Sequence, residues 1–168
     1  MTAITVETPI EPEPNPIDLV EQIAGAHDWL FDRRSADELA IEIDGEWCQY
    51  RMFFSWLDDL CALHFACAFE MRVPGLKRRE VNDLLVAINE KLAVGHFDLW
   101  ADEGLPVFRQ TALLRGAQGA SVEQLEDLVE IALSECERFY PAFQYVLWGG
   151  KTAADAIEAA LLETVGEA

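Results

Sequence analysis

Between Cys61 and Met71 the side chains alternate with period two. Cys61, Leu63, Phe65, Cys67, Phe69 and Met71 fall on one parity, and Ala62, His64, Ala66, Ala68 and Glu70 on the other. Only an extended chain sorts residues this way, so the segment is a strand with one face of large apolar groups and one of small ones. A face rich in alanine predicts close coverage, by a helix or by another chain. A strand also needs neighbours to satisfy its backbone, and three further stretches supply them. Trp29-Leu30-Phe31 is the first. Leu39, Ile41 and Ile43 then alternate with Ala40, Glu42 and Asp44, and the tight-turn pair Asp44-Gly45 leads into Trp47 to Phe54, with aromatics on both faces. Four successive strands joined by short connections predict an antiparallel meander.

Helical signals flank the meander. Asn15-Pro16-Ile17-Asp18 reads as a helix start with Asn15 capping and Asp18 reaching back, followed by Ile17, Val20, Ile23 and Ala24 on one face and an end near Gly25. After Val73-Pro74-Gly75, the spacing of Val81, Leu84, Leu85, Ile88 and Leu92 predicts a helix from about Lys77 to Ala93. Gly95 closes it. A hairpin follows, His96 to Trp100 and Leu105 to Leu114 around Asp102-Glu103-Gly104. Ser121 and Gln124 form a capping box for a long helix with the stripe Leu125, Leu128, Val129, Ala132, Cys136, Phe139 and Phe143. Pro141 is expected to bend or break it. Gly149-Gly150 ends it, and a short acidic helix runs from Thr152 to about Val165.

The order α-β-β-β-β-α-β-β-α-α places the chain in the α+β class, an antiparallel sheet flanked by helices. Residues 1–14 read as a disordered acidic Pro/Glu tail, with Glu7, Glu11 and Glu13 among Pro9, Pro12 and Pro14, and residues 15–168 as one domain. With nine Phe, five Trp and three Tyr in 168 residues, the core needs neither metal nor disulfide to hold it.

Charge narrows the function. Thirty-one acidic residues against 12 basic ones give a net charge of −19, which repels phosphate backbones and anionic membranes. The one dense basic cluster, Lys77, Arg78 and Arg79 with Arg72 nearby, sits where a helix begins and makes no stripe for nucleic acid. No run approaches the roughly twenty apolar residues of a membrane span. Cys48, Cys61, Cys67 and Cys136 form no C-x-x-C pair and lie in or beside apolar runs. Residues 2–14 lack the basic start and apolar stretch of a secretory leader, and a reducing cytoplasm is the expected compartment.

Catalytic patterns are absent from the sequence. In Cys61-x-x-His64-x-x-Cys67, strand geometry turns His64 away from both cysteines, and it sets the cysteines roughly 20 Å apart. His27 and His96 are distant in sequence. Asp58 and Asp59 suit a solvated turn, and the acids of the long helix lack the Glu-x-x-His pairs of a di-iron site. Gly116 to Gly119 has no phosphate-loop lysine. No catalytic, cofactor or metal residue is assigned. The positive signal is aromatic: Phe53, Phe54 and Trp56 at a strand end, and Phe139, Tyr140, Phe143, Tyr145 and Trp148 at a helix end, filling a core or lining a partner surface. Candidate partner-binding residues are Phe53, Trp56, Val81, Leu84, Leu85, Ile88, Phe143 and Trp148.

Residues 16–149 resemble the YbjN family, whose members are described as putative bacterial sensory transduction regulators. The resemblance rests on the element order, on Trp47-Cys48-Gln49-Tyr50-Arg51-Met52, on Met71-Arg72-Val73-Pro74 after the long strand, and on Ile88-Asn89-Glu90-Lys91-Leu92 followed by Gly95-His96-Phe97. It implies a compact antiparallel sheet flanked by helices, a fold like that of type III secretion chaperones, a homodimer, and no enzyme activity. The Thr152–Val165 helix departs from this pattern and is a candidate to cover a groove. The expected function is therefore a non-enzymatic protein-binding module, a regulator of sensory transduction or a chaperone-like homodimer, with no nucleic-acid or membrane partner. An acidic rim around its groove would suit basic, amphipathic partners. The alternative is a small-ligand sensor with a pocket of Trp, Phe and His64 between sheet and helix.

Overall fold

The computed structural model describes residues 14–166, so all but the last residue of the expected tail lies outside the described residues. Six strands form one antiparallel sheet: β1 (Leu30–Arg33), β2 (Glu38–Asp44), β3 (Gln49–Leu57), β4 (Ala62–Phe69), β5 (His96–Trp100) and β6 (Leu105–Leu113), in the spatial order β1-β2-β3-β4-β6-β5. The helices are α1 (Ile17–Ala26), α2 (Arg78–Asn89), α3 (Val122–Leu147) and α4 (Ala153–Gly166). Element order and class match the sequence reading.

Register explains the layering. Leu39 pairs with Phe54, Phe54 with Phe65, Met52 with Cys67, and Cys67 with Phe108. These side chains share one face and all are buried. Onto that face pack α1, through Ile17, Val20, Ile23 and Ala24, and α3, through residues that include Leu128, Ala132, Cys136, Phe139 and Phe143. Phe69 is a hub, its ring centroid 5.2 Å from Phe143, 5.5 Å from Tyr140 and 6.3 Å from Tyr50. Such offset and edge-on arrangements add to the burial of each ring. α2 packs on β5 and α3, and α4 on α2 and α3, so the helices form a single layer.

Several local expectations hold. Ser121 Oγ accepts from the Gln124 N–H at 3.1 Å while Gln124 Oε1 accepts from the Ser121 N–H at 2.9 Å, closing the capping box of α3. Asn15 Oδ1 accepts from the Ile17 N–H at 3.0 Å. Asp18 is not a cap, however: its carboxylate takes Arg33 at 3.0 Å, and Glu21 takes the same guanidinium at 2.8 Å, tying α1 to the edge strand β1. Pro141 does not break α3, which runs continuously from Val122 to Leu147. A mid-helix proline costs about 3 kcal/mol, and the buried residues on both sides of it, Phe139, Tyr140, Ala142 and Phe143, offset that by holding the helix on the sheet. Trp47 and Cys48 fall in the turn before β3 instead of in the strand, and Trp47 stacks on Tyr140 at 6.1 Å. Nor does the last helix cover a groove on the sheet; Ala156, Ile157 and Ala160 bury it against its helical neighbours.

Candidate binding face

The second face of the sheet carries none of these helices. Rows of paired residues cross it. Leu57, Ala62 and Leu113 form one row, and Ser55, His64 and Thr111 the next. Then come Ala40, Phe53, Ala66, Arg109 and His96, followed by Glu42, Arg51, Ala68, Val107 and Asp98. The small residues lie on the central strand β4. Adjacent strands stand about 4.8 Å apart, so alanines there leave a trough that side chains from both flanks can lean into. Phe53 leans in from β3 and Trp100 from β5, and their ring centroids meet at 5.6 Å. Ala66 and Ala68 are thereby 2% and 6% exposed without a helix over them. The closeness expected of this face is real, but it comes from the face's own aromatics.

Around this bridge the surface sinks into a cavity of about 600 Å³, lined by residues that include Arg34, Arg51, Phe53, His64, Trp100 and Glu103. A second hollow of about 400 Å³ lies towards the edge strand, against Leu30, Phe31, Asp32 and Ala40, and shares Arg34 and Arg51 with the first. Arg34 lies over the Phe53 ring at 5.2 Å, with one contact to Asp32 at 3.8 Å. Arg51 pairs with Glu42 at 3.2 Å and Arg109 with Asp98 at 3.0 Å. His64 Nδ1 sits 3.0 Å from Thr111 Oγ1. Desolvation, then the positive charges of Arg109 and His96, hold its imidazole below its ordinary value, so His64 is a neutral hydrogen-bonding group at neutral pH. The sensor reading expected such a pocket between sheet and helix; the cavity with Phe53, His64 and Trp100 lies on the opposite face.

Charge is divided between the layers. The four helices carry thirteen acidic residues against three arginines, whereas the six strands carry five acids against three arginines. The helices are strongly acidic, and acids also border the open face, where Asp32, Glu42, Glu70 and Glu103 line the two hollows beside Arg34 and Arg51.

Of the candidate partner-binding residues, Phe53 is half-buried on this open face and Trp148 is exposed at the C-terminal end of α3. Trp56, Val81, Leu84, Leu85, Ile88 and Phe143 lie inside the core. The apolar stripe of α2 faces the interior because α2 closes one end of the helical layer. Trp100, Arg34, Arg51 and Leu113 were not singled out by sequence, although the aromatic-and-arginine content of β3 and β5 carries that signal.

The structure separates the candidate nucleophile and metal groups that the sequence raised. His64 and Cys67 point to opposite faces, as the strand pattern requires. Cys67 and Cys136 are wholly buried with their sulfurs 3.7 Å apart, and burial pushes the Cys136 thiol up, the reverse of what activates a nucleophile. Asp58 and Asp59 lie exposed in a single-turn helix. Among the described residues, no three His, Cys, Asp or Glu side chains gather closely enough to hold a metal ion, and no helix is long and apolar enough to cross a membrane.

Fold and face together define an antiparallel α+β domain with its helices on one side and an aromatic face of mixed charge on the other. The profile of the YbjN family, described as "Putative bacterial sensory transduction regulator", matches residues 16–145, and the chain belongs to that family. Among solved structures it is similar to one described as "Crystal structure of YbjN, a putative transcription regulator from E. coli", with 18% identity over 71% of this chain and 90% of that chain and a TM-score of 0.47. No curated protein matches the chain.

Proposed function

We propose that this protein is a non-enzymatic regulatory module that works by binding a protein partner, or a second copy of itself, across the open face of its sheet. The observation that carries this reading is the face itself, uncovered among the described residues, with Phe53, Trp100, Arg34 and Arg51 on it. Tryptophan and arginine are among the residues that most often dominate binding energy at protein interfaces. Leu113 and Leu60, 79% and 64% exposed, extend the apolar surface at one end of the sheet. The family description as a regulator agrees with a binding role, and the acidic helical layer keeps the chain soluble while the sheet presents its apolar groups.

The test is a comparison of variants. The full chain with Arg51→Glu or Leu113→Glu on the sheet is set against Val86→Glu or Leu162→Glu on the helices, all four being exposed positions. Complex formation is read by light scattering on purified protein and by quantitative capture from source cells. Loss of self-association or of a captured partner with the sheet variants alone supports the reading; loss with the helix variants alone overturns it. A second reading, a small-ligand sensor, is favoured by one observation: about 600 Å³ is an ordinary volume for a ligand site.

A further inference from the structure

We propose that the hollow beside the Phe53–Trp100 bridge is a binding site for a small organic monoacid, a single carboxylate on an aromatic or branched apolar body. The inference rests on the open face being the working surface, and it adds the chemistry that this face recognises.

The apolar part follows from the walls. Phe53 and Trp100, their rings bridged over Ala66 and Ala68, give the cavity an apolar wall against which a flat or branched group can lie. The anionic part follows from Arg34 and Arg51, which line both hollows and stand on the ridge between them. A guanidinium has five N–H donors. Arg51 spends one nitrogen on Glu42, and Arg34 is held over Phe53 with one long contact to Asp32. Both side chains are at least half exposed, at 50% and 58%, and both line the cavity, so a carboxylate there can take their remaining donors in a forked geometry.

The limit to one charge also comes from the lining. Glu70 and Glu103 line the same cavity, and a second carboxylate placed beside them meets like charge. His64, hydrogen-bonded to Thr111, contributes a polar edge.

The experiment is a titration of the isotope-labelled full chain with 3-phenylpropanoate, followed by NMR at the Ala66 and Ala68 methyls and the Trp100 indole N–H, with 3-phenylpropanamide as the neutral twin. The acid is expected to shift these three signals saturably and the amide to leave them in place. Arg34→Gln and Arg51→Gln, at exposed positions that leave the core intact, should each weaken binding about tenfold. No shift at millimolar acid, equal binding of the amide, equal binding by both variants, or shifts confined to α3 and α4 would each overturn the site. If the sheet variants abolish partner binding while the acid shifts nothing, the docking role stands and this inference alone falls.

Discussion

Phe53 and Phe54 are neighbours in the chain and opposites in the structure, and truncating each to alanine tests the two-faced sheet directly. Phe54 is 1% exposed, pairs across the sheet with Leu39 and Phe65, and meets the Phe65 ring at 4.9 Å. Removing a buried phenylalanine costs about 3–5 kcal/mol, transfer and cavity terms together. Phe53 is half-buried, and its ring meets Trp100 and lies under Arg34. Its loss forfeits a partial burial and an aromatic pair, about 1–2 kcal/mol. For a domain of this size each kcal/mol moves Tm by roughly 2–4 °C, so Phe54→Ala should melt about 10 °C lower and Phe53→Ala only a few degrees lower. Thermal and urea denaturation followed by circular dichroism, repeated at several protein concentrations, read both. An equal loss from the two substitutions at every concentration would refute the uncovered face, since Phe53 would then be as enclosed as Phe54. An equal loss only at high concentration would place a second copy of the chain over the sheet.

Three further outcomes follow from local contacts. Asn89 bridges α2 to the edge strand, donating to the Phe97 carbonyl at 2.9 Å and accepting from the Phe97 N–H at 2.7 Å; Asn89→Ala strands both groups and should lower stability by about 1–3 kcal/mol in the same denaturation assay. Ser121→Ala opens the capping box and should cost about 1 kcal/mol, with hydrogen exchange rising first in the opening turn of α3. His64 has its folded value below its unfolded one, so between the two the unfolded chain binds more protons and stability rises with pH. Its contribution is complete above the ordinary histidine value and is lost as pH falls through the window below it. His64→Gln should flatten that acid limb in denaturation series, and an unchanged limb would remove His64 as its source.

The sequence made legible whatever is decided within a few residues. Ser121 and Gln124 sit three apart and can meet only at a helix start, and the period-two runs of β2 and β4 allow one assignment of faces. Pro141 was misjudged because a local rule says nothing of Phe139 and Phe143, whose burial holds the helix through it. The stripe Val81, Leu84, Leu85 and Ile88 is equally apolar whether it meets a core or a partner, and only the placement of α2 under α4 and beside β5 decides. The face followed the same logic. The alanines of β4 foretold close coverage, yet the covering side chains are Phe53 and Trp100, joined by a β4-β6-β5 pairing that no local pattern encodes. Arg34 and Arg51 gained meaning only once that pairing set them beside the cavity.

The most direct test of the open face as the working surface is site-specific photo-crosslinking in the source cells. A benzophenone amino acid replaces Phe53 on the sheet or Val86 on the exposed side of α2, with the rest of the chain unchanged. Adducts to one discrete species from position 53, suppressed by Arg51→Glu and absent from position 86, are the predicted result. Adducts from position 86 with none from position 53 would contradict the account and move the binding surface to the helices.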